Sequence, residues 1–253
     1  MWKGRLVKLI VWGVLGFIML VSIAFSGKRH GDREINELII NIDYQYQNHF
    51  IDAEDVKGLI NAEDENYLLA TDLAALDLKL LENRIMANKF VADAEAYLDH
   101  RGNLIVAVQQ SRPIARIFDP VGQDFYIDEE GDILPISERY TARVMLIELE
   151  EPTSLLHGNL KHTEQGAQLF ELVQTIDKDD FWKAQIAQIY VKKNAELQLF
   201  PQVTKQVVEF GVPEQIDQKL NKLMVFYKEI LPVKGWNTYN TVSLKFENQI
   251  VCE

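Results

Sequence analysis

The chain has 253 residues, with 26 Lys and Arg against 38 Asp and Glu and a formal net charge of −12. Residues 1–33 hold six of the basic residues and one acidic residue, so residues 34–253 hold 20 against 37, a net of −17. A body of that charge repels nucleic acid and anionic lipid headgroups, and no basic stripe or aromatic-plus-Arg motif offsets it, so no nucleic acid is expected as a partner. The single cysteine, Cys252, rules out an internal disulfide and reads as a small apolar residue at a strand end.

The first predicted element is Leu6 to Phe25, twenty residues in which Lys8 is the only charge. At about 1.5 Å per residue a helix of that length spans roughly 30 Å, the hydrocarbon thickness of a bilayer. Residues 6–25 are therefore expected to form one transmembrane helix, with Lys8 snorkelling to the interface. Residues 1–5 are too few for a domain and are expected to stay in the cytoplasm as a short tail, with residues 26–33 as a linker and the remaining body exported. The rival reading is a signal peptide cleaved after Ser26, which Ala24 and Ser26 would permit. The apolar run is longer than a usual signal core, which favours an uncleaved anchor.

Residues 34–253 are enough for one large or two ordinary domains. Ile35 to Asp43 reads as a strand. Asp52 is an N-cap for a helix over AEDVKGLI. Asn61 to Asn66 is a polar loop, and Thr71 or Asp72 caps a second helix reaching Asn88. Leu73, Leu76, Leu80 and Ile85 form its buried stripe, and Asn83, Arg84 and Asn88 face water. Phe90 to Leu98 and Leu104 to Gln109 are strands joined by the turn Asp99–Asn103, where Gly102 supplies the awkward dihedral. The order strand–helix–helix–strand–strand is a complete small α+β unit.

Ser111-Arg112-Pro113 marks the seam, because proline removes a donor and a central strand cannot run through it. Strands follow over Ile114–Phe118, Asp124–Asp128 and Ile133–Ile136, with turns at 119–122 and 129–132. Ala142 to Leu149 is nearly continuous apolar sequence and is predicted to be central. Thr163 to Ile176 is a helix buried through Leu169, Phe170, Leu172, Val173 and Ile176. Strands are predicted over 186–191, 195–199 and 207–210. From Pro213 onward Ile216, Leu220, Leu223, Tyr227 and Ile230 step at the helical period, and the helix is expected to stop before Pro232. Tyr239 to Ile250 reads as one last strand, with Val242, Leu244 and Phe246 buried and Ser243, Lys245 and Glu247 wet.

Catalytic and metal chemistry find little footing. The histidines, His30, His49, His100, His157 and His162, share no ligand spacing, and no nucleophile elbow, P-loop or dinucleotide fingerprint occurs. Asp128-Glu129-Glu130-Gly131-Asp132 lacks the spacing of a calcium loop and reads as a strand-connecting turn. No catalytic residue, cofactor or metal is expected.

The stretch from Phe90 to Ile136, with an apolar strand, a returning strand, an Arg-Pro seam and an Asp/Gly turn, resembles the bacterial cell-division family FtsQ, also called DivIB. The end of the chain, FYKEILPVKGW followed by TVSLKFENQIV, is similar to the family's last helix and strand. The resemblance implies an α+β protein: a single N-terminal transmembrane helix, a POTRA-like βααββ domain at 34–110, and a β-rich domain at 111–253. It implies a non-enzymatic scaffold in the bacterial inner membrane, with its body in the periplasm at the division septum. There it would recruit FtsB and FtsL, link early and late divisome proteins and so control septal peptidoglycan synthesis. The family presents a C-terminal sheet edge to FtsB, and the matching positions are Ser243, Leu244, Lys245, Phe246, Asn248 and Gln249, with Tyr227 on the preceding helix as neighbour. An exposed strand edge physically suits this, since a partner strand satisfies its free N–H and C=O groups. Other division proteins would meet the POTRA-like domain on the exposed face of the helix Asp72 to Asn88. Glu247-Asn248-Gln249 lacks the Gly that the family often carries in this turn. The alternatives are an exported POTRA-bearing assembly factor, which would call for several such units or barrel strands, and a cleaved secreted protein.

Overall fold

The structure, a computed structural model, describes residues 12, 14, 15, 17–19, 35–44, 46–61, 76–119, 124–151 and 158–253. The predicted tail, linker and cleavage site, the cap at Thr71 or Asp72, Leu73, the turn at 120–122, His30 and His157 lie outside these residues, as does most of the predicted anchor. Its described members, Trp12, Val14, Leu15 and Phe17–Met19, are helical and exposed. Among the described residues no helix is long and apolar enough to cross a membrane. Contacts divide the chain into two units, one holding Ile51–Gln110 and the described residues before 45, the other Tyr46–Phe50 and Ser111–Glu253.

The first unit is α+β. Strand β1 is Leu38–Asp43, helix α1 Ala53–Ile60, helix α2 Leu78–Met86, strand β2 Val91–Leu98 and strand β3 Leu104–Gln110. The sheet order is β1-β3-β2, with β1 parallel and β2 antiparallel to β3. Asp52 starts α1 through a reciprocal cap: its carboxylate accepts from the amides of Glu54 and Asp55 at 2.9 and 3.0 Å, and its own amide donates to Asp55 Oδ2 at 2.8 Å. Asp77 caps α2 by accepting from the Leu80 amide at 3.0 Å, so the helix starts at Leu78 and ends at Met86, inside the longer helix expected from Thr71 or Asp72 to Asn88. The buried stripe of α2 runs through Leu81 and Ile85, four residues apart, whereas Leu80 is 38% exposed. This corrects the expected stripe, because Leu80 lies about 100° around the helix from Leu81. Arg84 also departs from expectation: it is half-buried and donates to Ile60 O at 3.0 Å, tying α2 to the end of α1. The β2–β3 turn is held by Asp99, whose carboxylate accepts from the Arg101 and Asn103 amides, with Gly102 at φ +87°.

The second unit is built on a nine-stranded sheet. Its strands are β4 Pro113–Phe118, β5 Phe125–Asp128, β6 Ile133–Pro135, β7 Met145–Leu149, β8 Ile186–Val191, β9 Leu197–Pro201, β10 Val207–Gly211, β11 Thr241–Ser243 and β12 Val251–Cys252. The order is β12-β11-β10-β9-β8-β7-β4-β5-β6, so β7 lies in the interior of the sheet, next to the middle strand β8. Strands β4, β7 and β8 run parallel, as do β10 and β11, and the other neighbours are antiparallel. Parallel neighbours need long crossovers. Helices α3 (Glu164–Lys178) and α4 (Asp180–Gln185) link β7 to β8, and α5 (Ile216–Val225) lies between β10 and β11. Leu169, Leu172, Val173 and Ile176 of α3 and Leu220 and Leu223 of α5 share one core with Ile147, Ile189, Leu199 and Phe210 of the sheet.

Several of this unit's differences from expectation have a local reason. Strand β7 starts at Met145 rather than Ala142, because the Ala142 amide is taken by the Tyr126 hydroxyl at 3.2 Å. Ala195 has φ +62° and turns the chain, so β9 begins at Leu197. The unpredicted α4 is started by Asp179, whose carboxylate accepts from the Phe181 and Trp182 amides. The last long helix does not stop before Pro232. A wide turn over Phe226–Ile230, in which the Leu231 amide bonds Phe226 O five residues back, leads into α6, Leu231–Lys234. Pro232 then falls in the first turn of α6, where its missing donor costs little.

Candidate functional site: the C-terminal sheet edge

The end of the chain is a hairpin and not one long strand. Thr241–Ser243 pair with β10, the chain turns through 244–250, and Val251–Cys252 return antiparallel on the other side of β11. Thr241 and Glu253 exchange both main-chain hydrogen bonds at 3.0 Å. In an antiparallel ladder the next pair, Val242 and Cys252, must then be the non-hydrogen-bonded kind. The N–H and C=O of Cys252 therefore point away from β11, along the outer edge of the nine-stranded sheet. At the opposite end, β6 finishes in Pro135, the Ile133 amide donates to Gly158 O at 3.1 Å, and Asp132 bridges to Asn159. Among the described residues of this unit, β6 is blunted and no strand pairs with the outer side of β12. In the first unit, two β2 amides are occupied by carboxylates: Ala94 donates to Asp93 Oδ1 and Ala96 to Glu82 Oε1, both at 2.9 Å.

The loop beside β12 is held from below. Leu244 is fully buried and its amide donates to Glu209 O at 2.9 Å. Lys222, on α5, donates to the carbonyls of Leu244, Phe246 and Glu247 at 3.1, 2.7 and 3.4 Å. Lys245 crosses the sheet surface to Glu196 at 2.6 Å and Glu209 at 3.5 Å, and Glu209 also binds Lys192 at 3.1 Å. The hydrogen bond to Glu196 holds the Lys245 pKa above its ordinary value, and the same bond holds Glu196 below the usual carboxylate range. Gly211 has φ +76°, which favours glycine, and a Cβ there would lie 3.1 Å from Lys245 Cγ, so the lysine stem would have to shift where it crosses β10.

The predicted site residues separate into two groups. Lys245, Phe246, Asn248 and Gln249 are exposed on the loop, Phe246 at 49%. Phe246 is thus not the core residue that strict alternation predicts, because the chain leaves the sheet after Leu244. Ser243 sits in β11 with β10 on one side and β12 on the other, so its backbone edge is already occupied. Leu244 and Tyr227 are inside. Tyr227 is 4% exposed, with Phe181, Trp182 and Phe226 around its ring. Its hydroxyl faces Gln185 and Thr204 without full hydrogen-bond geometry, and burial pushes its pKa up. Neither Leu244 nor Tyr227 offers a contact surface. Sequence reasoning missed Lys222 and the strand at Val251–Cys252. The one signal for that strand was the polar trio Glu247–Gln249, read as a turn, ahead of an apolar Ile-Val pair.

No cofactor cradle emerges at this edge, and among the described residues no group of three or more His, Cys, Asp or Glu is placed to hold a metal ion. The arrangement suits strand addition: a free main-chain edge, flanked by an exposed aromatic and polar loop.

The fold is a βααββ unit followed by a mixed nine-stranded sheet, and residues 34–109 match the POTRA-like domain. Residues 112–253 match the family described as FtsQ/DivIB, C-terminal related. That match spans more than half of the chain, and the protein belongs to the FtsQ/DivIB family. No curated protein matches the chain.

Proposed function

We propose that this protein is a membrane-anchored cell-division scaffold. Family membership supports a role in cell division. Residues 6–25 anchor it in the bacterial cytoplasmic membrane, and the two described units lie on the extracytoplasmic side at the septum. The protein acts by binding and not by catalysis. It gathers FtsB and FtsL and so couples early division proteins to septal peptidoglycan synthesis, with further division proteins meeting the POTRA-like unit on the exposed side of α2.

The observation that carries the partner site is the outward N–H and C=O of Cys252 on β12. A segment of FtsB adds there as a new edge strand, while Phe246, Asn248 and Gln249 on the adjacent loop supply side-chain contacts. Main-chain pairing gives affinity in this mode and the side chains give specificity. The test is co-purification of FtsB with the full-length chain and its Cys252→Pro variant. Proline deletes the one outward donor and leaves the inward bonds of Thr241 and Glu253 intact. The reading expects FtsB to be retained by the wild type and lost from the variant while its circular dichroism is unchanged. Equal retention by both would remove β12 as the site.

A further inference from the structure

We propose that the second unit carries another binding site, for an extended acidic peptide segment, in the cavity at the starts of β4, β7 and β8. The cavity has a volume of about 820 Å³, and its wall includes Asn48, Arg112, residues 140–145, Asp177, Lys183 and Gln202, all from the second unit. That volume is in the range of built ligand sites, about 300–1,000 Å³. Three strands, β9 to β11, separate β8 from β12, so this site and the proposed FtsB edge are distinct.

Charge selects the occupant. Arg112, Arg143 and Lys183 line the cavity against one carboxylate, Asp177. Asp177 is already committed: it accepts from Arg112 at 2.8 Å and Lys183 at 2.7 Å. Burial alone would raise its pKa, but those two cations hold it below the usual carboxylate range, so it stays ionised and bound to them. Arg112 is committed as well, to Asp177 and to Glu129 at 2.8 Å. Arg143 is different. It is exposed, and among the described residues it has no ion-pair or hydrogen-bond partner. Its fork of donors fits a carboxylate through two parallel hydrogen bonds.

The backbone selects the form of that occupant. The wall segment 141–144 has no regular secondary structure. Ala142 gives its amide to Tyr126, but the main-chain groups of Thr141 and Arg143 have no protein partner among the described residues. An extended peptide satisfies such groups along its length, whereas a small anion satisfies one or two. A run of open backbone beside an uncommitted arginine therefore fits a carboxylate-bearing strand.

The experiment is fluorescence anisotropy with the full-length chain, using labelled penta-glutamate as the probe, penta-glutamine as the control and sulfate as a competitor. The expected result is binding of penta-glutamate about tenfold or more tighter than penta-glutamine. Arg143→Glu is expected to weaken it by about tenfold or more, and Arg143→Lys, which keeps the charge, by less. Arg143 is exposed and has no hydrogen-bond or ion-pair partner among the described residues, so both variants should keep the wild-type circular dichroism. Absence of penta-glutamate binding, equal binding of the two peptides, or an Arg143→Glu variant that binds like wild type would overturn the proposal. Displacement by millimolar sulfate would overturn the peptide part of it. None of these outcomes bears on the β12 edge, which the Cys252→Pro experiment tests separately.

Discussion

Lys222 holds the loop that flanks the proposed edge, and Lys222→Met isolates its contribution. The substitution keeps most of the stem and deletes the ammonium that reaches three carbonyls, at 2.7 to 3.4 Å. A hydrogen bond from a charged donor contributes roughly 1.5–3 kcal/mol. The three are not additive here, because the carbonyls of Phe246 and Glu247 are exposed and water replaces the lysine on them. Only the Leu244 carbonyl is part-buried, so the local loss is expected to be about 2 kcal/mol, from that one bond. At 1.4 kcal/mol per factor of ten, this is roughly a 30-fold rise in local opening. The assay is amide hydrogen exchange at Thr241 and Glu253, whose paired amides report the β11–β12 ladder. Exchange there should accelerate by about that factor, while amides of β7 and β8, at the sheet centre, are unchanged. Lys222→Arg should recover part of the protection. Unchanged exchange at both amides in Lys222→Met would refute the clamp.

Val242→Asp should destabilise the second unit by about 3 kcal/mol or more, because the side chain is fully buried, whereas Phe246→Asp on the exposed loop should stay within about 0.5 kcal/mol; urea denaturation of the two variants checks the contrast. Asp177 has a folded pKa below its unfolded value, so its stabilising contribution is present above about pH 3.9 and is lost as pH falls through the lower folded value. Asp177→Asn should therefore lower the urea midpoint at neutral pH, and the difference from wild type should shrink as pH falls through that window. Lys219 is 7% exposed, and burial followed by the nearby Lys222 charge pushes its pKa down. The unfolded chain then holds more protons than the folded one between that lowered value and about pH 10.4, so stability rises with pH across the window, and Lys219→Met should flatten the rise in urea midpoints.

Much of the fold is legible in local pattern. Asp52 ahead of AEDVKGLI, the Asp99–Asn103 turn and the apolar run of β7 each declare themselves through chemistry within a few residues. Tyr227 is a sharper lesson. Its place in the series Ile216, Leu220, Leu223 marks it as core, and the structure buries it; only the family resemblance placed it at a partner surface. What local pattern cannot show is long-range. The chain leaves the sheet after Leu244 because a lysine on α5, more than twenty residues upstream, collects the loop carbonyls. The two-residue β12 is too short to carry a periodic signal, and its status as the open edge depends on Pro135 and Gly158 closing the other end of the sheet.

The most direct test of the central claim, that a partner strand adds to the outer side of β12, is amide exchange at Cys252 with and without saturating FtsB. The account predicts that Cys252, whose N–H points outward, becomes strongly protected in the complex, while Glu253, already bonded inward to Thr241, changes little. Saturating partner with Cys252 exchanging as in the free protein would contradict it.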